Sequence, residues 1–195
     1  MTRFVPVMPE HAEALAQLFE RTGSPCFCRW WHFSGDKNAW LDRCYNAPEK
    51  SRAELIDAVG SPQGTGIVAV EDDARVVGWM KLARAEDVPK LYDQRLYKGL
   101  PCFAGDRQGV LTVGCFLVDE AQRRSGIAGG LLGAAIDWAK AHHAVAIEAF
   151  PRRADILAPE EMWTGPFELY RRAGFEVVNE FAPYPVLRLA LEASS

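Results

Sequence analysis

The sequence contains no long run of apolar residues. Its purely apolar stretches are short, such as Ile67–Val70, whereas a membrane-spanning helix needs about 20 consecutive apolar residues. No apolar h-region follows Arg3, so the first residues do not resemble a signal peptide. We therefore expect a cytoplasmic protein that does not interact with membranes.

The sequence also lacks an even number of cysteines and an excess of positive charge. Five cysteines are an odd count in a chain of 195 residues, which favours reduced thiols over a disulfide framework. The 22 Lys and Arg residues are outnumbered by 26 Asp and Glu residues, so the net charge is −4. Because nucleic-acid binding usually requires a net basic face, we expect no nucleic-acid partner. No repeat or linker divides the chain, which predicts one domain over residues 1–195.

The pattern of apolar residues predicts a mixed α/β fold. The predicted strands are 3–7, 66–70, 76–82, 110–118, 144–150, 175–181 and 186–191. The predicted helices are 9–21, 48–59, 126–141 and 166–173, with irregular connections at 24–46, 85–108 and 151–163. The most apolar strand, 110–118, directly precedes the longest helix. Apolar residues recur at three and four positions in that helix, which is typical of one buried face.

The connection between this strand and this helix favours anion binding. Small residues at positions 126, 128 and 129 let a ligand approach the backbone closely. A helix start also offers unpaired N–H groups and the positive end of the helix dipole, and Arg123 and Arg124 add charge. A glycine-rich turn with solvated arginines is the alternative interpretation. The spacing matches neither the dinucleotide motif nor the nucleoside-triphosphate phosphate loop.

Two motifs carry a resemblance to a known family. Residues Arg123–Ala128 match the Q/R-x-x-G-x-G/A pattern of the Gcn5-related N-acetyltransferases, the GNAT family. Residues Tyr170–Phe175 are similar to that family's Y-x-x-x-G-F ending, and the order of predicted elements fits over residues 3–192. The resemblance implies a mostly antiparallel sheet of six or seven strands with one splayed parallel pair. About four helices would flank this sheet.

The resemblance also implies that acetyl-CoA is the cosubstrate. Its pyrophosphate would lie on a loop made of Arg123, Arg124, Ser125, Gly126, Ile127, Ala128 and Gly129. Its pantetheine arm would contact the backbone of Phe116, Leu117 and Val118. Many relatives have an asparagine shortly before the last short helix, where this chain has Met162–Gly165. Thr164 is the candidate that replaces this contact.

The implied reaction is the attack of a neutral amine on the acetyl thioester. Glu148 is the candidate base, because a carboxylate in the apolar run Val145–Phe150 is costly unless it faces a polar cavity; pairing with an arginine is the alternative. The family's tyrosine at the place of Tyr170 lies near the coenzyme sulfur, so Tyr170 is the candidate acid, with core packing as the alternative. A backbone N–H of Phe116–Val118 would stabilise the oxyanion.

The resemblance implies that acceptor-binding residues lie in the aromatic segment Cys26–Phe33 and in the connection Ala85–Gln108, and that the loop Pro151–Trp163 helps to cover the acceptor site. Trp30, Trp31 and Phe33 form either a wall that binds an amine through cation–π contacts or a loop packed under the sheet. The Cys-x-Cys-x-x-Trp element of this segment resembles a GNAT subgroup without an assigned substrate. Its two cysteines and its histidine lack the spacing of a zinc site, so we expect no metal.

These patterns together predict an N-acetyltransferase for a primary amine of a small molecule or a peptide. Two alternatives stay open: a non-catalytic module that senses acyl-CoA, and an acyltransferase that uses another acyl-CoA. The negative net charge favours a cationic acceptor, such as a polyamine. The family resemblance also allows a homodimer.

Overall fold

The computed structural model describes residues 1–191, and at positions 159 and 160 it describes the backbone only. The last residues of the predicted domain, 192–195, lie outside the described residues. The strands are β1 (Arg3–Pro6), β2 (Gly66–Val70), β3 (Val76–Arg84), β4 (Val110–Val118), β5 (Ala146–Ala149), β6 (Glu176–Asn179) and β7 (Val186–Ala190). They form one sheet in the order β1-β2-β3-β4-β5-β7-β6. Every neighbouring pair is antiparallel except β4 and β5, which are parallel.

Helices cover both faces of this sheet. They are α1 (Ala12–Arg21), α2 (Lys37–Asn46), α3 (Pro48–Ala58), α4 (Pro89–Tyr92), α5 (Ile127–Ala141) and α6 (Phe167–Arg172). Because side chains alternate along a strand, Met80 of β3 packs with α5 while its neighbour Trp79 packs with α1 and α3 on the other face. Within residues 1–191, no helix has the length and apolar character needed to cross a membrane.

The predicted fold class is confirmed, with seven strands and one parallel pair. Two parts of the prediction were wrong. Residues 24–46 contain helix α2, which begins where the Asp36 carboxylate accepts a hydrogen bond of 2.9 Å from the Ala39 N–H. Only Trp40 of that helix is buried, so its sequence carries no apolar stripe. With α2 and the single turn α4, the described residues form six α-helices instead of about four.

Glycines bring helix α5 close to the sheet. A Cβ at Gly130 would lie 2.1 Å from the Phe4 ring, and a Cβ at Gly78 would lie 2.7 Å from Ile127. Only glycine allows both approaches. The first turn of α5 is therefore held directly beyond the end of β4, which is where the predicted anion-binding loop lies.

Candidate active site

Strands β4 and β5 separate after a short parallel pairing. Only Val110, Leu111 and Thr112 of the nine-residue strand β4 pair with β5. Gly114 is an extra residue in the pairing of β4 with β3, since Lys81 faces Cys115 while Leu82 faces Val113. Such a bulge bends a strand and increases its twist. The second half of β4 therefore borders a gap, as the splayed pair of the sequence prediction requires.

The alternation of hydrogen bonds along β4 determines which of its backbone groups face this gap. Asp119 N donates to Val77 O at 2.9 Å, so these two residues form a hydrogen-bonded pair of β4 and β3. Leu117, two residues before Asp119, lies opposite Trp79 and belongs to the next hydrogen-bonded pair. Antiparallel strands alternate between hydrogen-bonded and non-hydrogen-bonded pairs. The backbone of Leu117 is thus directed at β3, whereas the N–H groups of Phe116 and Val118 point into the gap. Of the three predicted backbone contacts, two have a suitable direction.

The segment Trp163–Gly165 closes the gap from the opposite side. Phe116 N donates to Trp163 O at 2.6 Å, and the Tyr170 hydroxyl donates to Thr164 O at 2.6 Å. The Thr164 hydroxyl donates to Phe150 O at 2.8 Å, just beyond the end of β5. The carbonyl groups of two consecutive residues therefore accept hydrogen bonds from the backbone of β4 and from the hydroxyl of α6.

Tyr170 is fully buried on helix α6. Burial raises the pKa of its phenol well above the ordinary value, and the nearby Cys115 thiol adds to this rise. The hydroxyl consequently stays protonated at neutral pH and acts as a donor. A Cβ at Gly165, whose φ is +91°, would lie 2.4 Å from this hydroxyl oxygen, so glycine is required at that position.

The loop Arg123–Gly129, called the phosphate loop below for its predicted role, is open to solvent. Arg124 and Gly126 adopt left-handed φ values of +64° and +88°, and added Cβ atoms at Gly126 and Gly129 would meet no atom within 4 Å. The first hydrogen bond of α5 runs from Gly130 N to Gly126 O at 3.0 Å. Within the described chain, the N–H groups of residues 124–129 have no acceptor. Free amides, open space and two exposed arginines fit a pyrophosphate.

Asp119 anchors the phosphate loop to the sheet. Its carboxylate accepts hydrogen bonds from Ala121 N at 3.1 Å, Arg75 at 2.7 Å and Arg21 at 3.2 Å. Burial alone would raise the pKa of this carboxyl, but these three donors hold it below the ordinary value. Sequence reasoning missed this residue, because its partners lie far away in the chain.

Glu148 is fully buried between two arginines. Its oxygens accept from Arg107 at 2.8 and 2.6 Å, from Arg188 Nε at 3.0 Å and from the Tyr92 hydroxyl at 2.7 Å. All its hydrogen-bonding capacity is used inside the protein. This arrangement corresponds to the arginine-paired alternative, and it joins β5 to β7 and to the connection that precedes β4.

The aromatic segment divides into two groups. Trp30 and Phe33 pack against Trp40, with ring centroids 5.5 and 5.1 Å away. The Lys90 ammonium lies 3.4 Å from the Trp30 ring centre, so a cation of the protein itself already occupies this face. These two predicted acceptor residues therefore lie in a packed cluster, and the structure does not bring them to the gap.

Trp31 does reach the gap. Its indole N–H donates to Gly114 O at 2.7 Å, which fixes the ring beside the bulge of β4, and its ring stacks on Trp163 with centroids 5.7 Å apart. Together they border a cavity of about 470 Å³, called the acceptor cavity below. Its lining residues are Trp31, Leu91, Gln94, Leu96, Tyr97, Phe150, Arg152, Glu161, Trp163, Thr164 and Tyr184. Most of these lie in residues 85–108 and 151–163, the connections that the sequence analysis places around the acceptor, whereas Phe150 and Tyr184 were missed.

A second cavity of about 600 Å³ lies near Leu111, at the opposite end of β4 from Phe116. Its charged lining residues, Arg84 and Asp87, bind each other at 2.8 Å. It is remote from the gap between the strands and from the phosphate loop. The smaller cavity, in contrast, is connected to Phe116 and Tyr170 through the Trp163–Gly165 segment.

Of the two cysteines of the aromatic segment, Cys28 is buried and Cys26 is half-buried. Burial alone would raise the pKa of the Cys28 thiol, but a hydrogen bond from Cys115 and the ammonium of buried Lys81 lower it to about 7. Burial raises the pKa of Cys26 to about 12. These groups belong to the apolar cluster under the sheet and do not line the acceptor cavity.

The comparison with protein families agrees with this geometry. The family model described as the acetyltransferase (GNAT) family matches residues 25–156. Because the match covers more than half of the chain, the protein belongs to the GNAT family of acetyltransferases, for which acetyl-CoA is the cosubstrate. None of the curated proteins matches the sequence.

Solved structures show the same fold. A GCN5-related N-acetyltransferase from Kribbella flavida is 18% identical, with a TM-score of 0.57 over 97% of this chain and 98% of that chain. The PaiA N-acetyltransferase from Thermoplasma acidophilum, in complex with coenzyme A, is 11% identical, with a TM-score of 0.57 over 98% and 99%. A GNAT family acetyltransferase from Brucella melitensis, in complex with acetyl-CoA, is 18% identical, with a TM-score of 0.53 over 98% and 89%.

Proposed function

We propose that this protein transfers an acetyl group from acetyl-CoA to a primary amine, in one domain that covers the chain. One observation carries the proposal. Phe116 N–H and the Tyr170 hydroxyl donate to the carbonyls of the consecutive residues Trp163 and Thr164, and these two residues also line the acceptor cavity. A donor for a thioester oxygen, a donor for a sulfur and a cavity for an amine thus meet at one place.

The phosphate loop supplies the coenzyme's anion site in this proposal. Its free amides, the start of α5 and the side chains of Arg123 and Arg124 would bind the pyrophosphate. The backbone of Phe116 and Val118 would contact the pantetheine arm, since their N–H groups point into the gap. When bound, the thioester supplies an activated acetyl group. The Trp163 carbonyl must then leave the Phe116 N–H.

Two donors of the chain would assist the transfer. The Phe116 N–H would stabilise negative charge on the thioester oxygen, because a fixed donor in a site without water favours developing charge. The Tyr170 hydroxyl would donate a hydrogen bond to the departing thiolate, because its raised pKa keeps the phenol protonated over the physiological range. For this it must leave the Thr164 carbonyl oxygen to which it now donates.

Glu148 has less support as the general base than as a positioning residue. Two guanidinium groups and the Tyr92 hydroxyl already use its oxygens, so no oxygen lone pair is left free to accept the proton of an amine. We propose that Glu148 instead holds β5 against β7, and so determines where β5 leaves β4. A water molecule would then accept the proton of the amine.

The proposal is tested by measuring thiol release from acetyl-CoA with a set of primary amines, together with the mass of each product. Amine-dependent release and a product heavier by one acetyl group are expected. Binding of acetyl-CoA without transfer to any amine would instead support the non-catalytic acyl-CoA sensor. Faster transfer from another acyl-CoA would support the alternative that the protein is an acyltransferase with a different acyl donor.

Several finer assignments stay predictions. Membership of the subgroup with the Cys26-x-Cys28 element, a cytoplasmic location and a homodimer are among them. The mass of the protein in solution, measured by light scattering, would decide the last of these.

A further inference from the structure

We propose that the acceptor is a primary amine attached to a flat, apolar group, such as an arylalkylamine, and that the acceptor cavity binds this group. The inference rests on the proposed acetyl transfer, because it assigns the cavity to the amine substrate of that reaction. A volume of about 470 Å³ is within the range of about 300–1,000 Å³ that is usual for small-molecule sites.

The walls of the acceptor cavity are mainly aromatic rings. Trp31 and Trp163 stack at an interplanar angle of 27°, and the rings of Tyr97 and Phe150 lie 4.9 Å apart. Tyr184 adds a fifth ring to the lining. Aromatic groups favour offset or edge-on packing with other rings, beyond the gain from burying their area. A flat, apolar substrate would therefore gain more here than a flexible polar one.

The inner walls are fixed before any ligand binds. Trp31 is held by its hydrogen bond to Gly114 O, and Tyr97 and Phe150 are 4% and 3% exposed. Leu91, which also lines the cavity, is buried as well. A preformed apolar surface binds a rigid group with little ordering cost.

Charge in the acceptor cavity is already balanced. Among the described residues that line it, Arg152 and Glu161 are the charged ones, and they form an ion pair with each other. Glu161 also accepts a hydrogen bond of 3.0 Å from Ala158 N. No free carboxylate among these residues offers a site for a second ammonium group. This argues against a polyamine, although the net charge of the chain favours one.

An apolar cavity also helps to produce the reactive form of the amine. Removing an ammonium group from water lowers its pKa from about 10, because burial disfavours the charged form. A larger fraction of the bound amine is then neutral at physiological pH. This effect reduces the need for a strong base, which agrees with the complete engagement of Glu148.

The first test compares 2-phenylethylamine with hexylamine and spermidine as acceptors. We expect kcat/KM for 2-phenylethylamine to be at least tenfold higher than kcat/KM for spermidine. It should also be several-fold higher than kcat/KM for hexylamine. In the Trp163→Leu variant, the KM for 2-phenylethylamine should rise about tenfold, a loss of roughly 1.4 kcal/mol. The Kd of acetyl-CoA should be unchanged, because that variant keeps the main chain. Trp163→Phe should recover most of the lost affinity.

The control variant is Tyr45→Leu, since Tyr45 is 88% exposed and lies outside the cavity lining. The KM of Tyr45→Leu for 2-phenylethylamine should equal that of the parent protein. Binding of 2-phenylethylamine is also measured directly by calorimetry, without turnover. Binding by the parent that is weakened in Trp163→Leu supports the inference, even if no amine is acetylated and the proposed function fails. Equal or faster transfer to spermidine, or no binding of 2-phenylethylamine, would overturn the inference while leaving acetyl transfer intact.

Discussion

The backbone N–H of Phe116 donates a hydrogen bond of 2.6 Å to the carbonyl oxygen of Trp163. This contact joins the free edge of β4 to the segment that lines the acceptor cavity. A carbonyl oxygen of the chain thus lies where we propose that a thioester oxygen accepts a hydrogen bond. The coenzyme side and the acceptor side of the gap are linked through one residue.

The phosphate loop can be tested without disturbing the fold. Gly129→Glu places a carboxylate in the first turn of α5, where an added Cβ meets no atom within 4 Å. Negative charge there favours the helix but repels a pyrophosphate. We expect the melting temperature to be kept and the Kd of acetyl-CoA to rise at least tenfold, as measured by calorimetry.

Gly133 provides the matched control one turn further along α5. It is exposed, and its Cβ would also meet no atom within 4 Å. Gly133→Glu adds the same charge farther from the free amides, so the Kd should change by less than threefold. Equal weakening by both variants would mean that general charge, and not the phosphate loop, affects coenzyme binding.

Tyr170→Phe removes the hydroxyl that donates to Thr164 O. We expect kcat to fall about tenfold to a hundredfold, while the Kd of acetyl-CoA stays within about twofold of the parent value. The raised pKa keeps the phenol protonated in the folded protein, so the ratio of parent to variant rates should be constant from about pH 7 to 10. The readout is kcat across this range. An unchanged kcat would assign Tyr170 to the core only.

The same burial has a consequence for stability. The unfolded chain releases a tyrosine proton near pH 10, whereas the folded chain retains that of Tyr170. The stabilisation is therefore complete below about pH 10 and decreases as the pH rises further. Denaturant unfolding of the parent should show a steeper loss above pH 10 than unfolding of Tyr170→Phe.

Glu148→Gln removes the charge that two arginines share. We expect the free energy of unfolding to fall by about 2 to 4 kcal/mol. This loss is smaller than that for a fully buried ion pair, because both guanidinium groups are partly exposed. Glu180→Gln, at an exposed pair with Arg153, should cost less than about 1 kcal/mol. Denaturant titrations measure both.

The size of the loss in kcat separates the two roles of Glu148. If it positions β5, kcat of the folded Glu148→Gln variant should stay within about tenfold of the parent value. If it is the general base, kcat should fall by about a hundredfold or more. The second result would restore the assignment made from the sequence.

Gly165 and Gly105 form a matched pair for backbone strain and close contact. Both have a φ of +91°, but an added Cβ meets the Tyr170 hydroxyl at 2.4 Å in the first case and no atom within 4 Å in the second. Gly105→Ala should cost only about 1 kcal/mol from its backbone conformation. Gly165→Ala should lower the melting temperature more than Gly105→Ala does, and it should also reduce kcat, because the Tyr170 side chain must move. Equal melting temperatures would contradict the described packing.

Local patterns account for the part of the molecule that the sequence predicts well. The strands and helix α5 follow from the periodicity of apolar residues, and the phosphate loop follows from a glycine at the start of a helix. Both patterns are contained in short stretches of sequence. Helix α2 was missed because only Trp40 is buried, so no apolar stripe marks it.

The environment of the candidate site depends on distant contacts. Arg107 and Arg188 reach Glu148 from about 40 residues away on either side, and nothing near Glu148 in the sequence indicates them. The acceptor cavity likewise collects rings from four segments, of which the aromatic run at 26–33 contributes only Trp31. Pairings of this kind require the sheet order to be known first.

The most direct test of the account is a crystal structure of the protein with acetyl-CoA. We expect the pyrophosphate on the amides of residues 124–129, and the thioester oxygen within hydrogen-bonding distance of Phe116 N. The Trp163 carbonyl should have left that N–H group. Coenzyme bound elsewhere, or bound while Phe116 N still donates to Trp163 O, would contradict the proposed site of acetyl transfer.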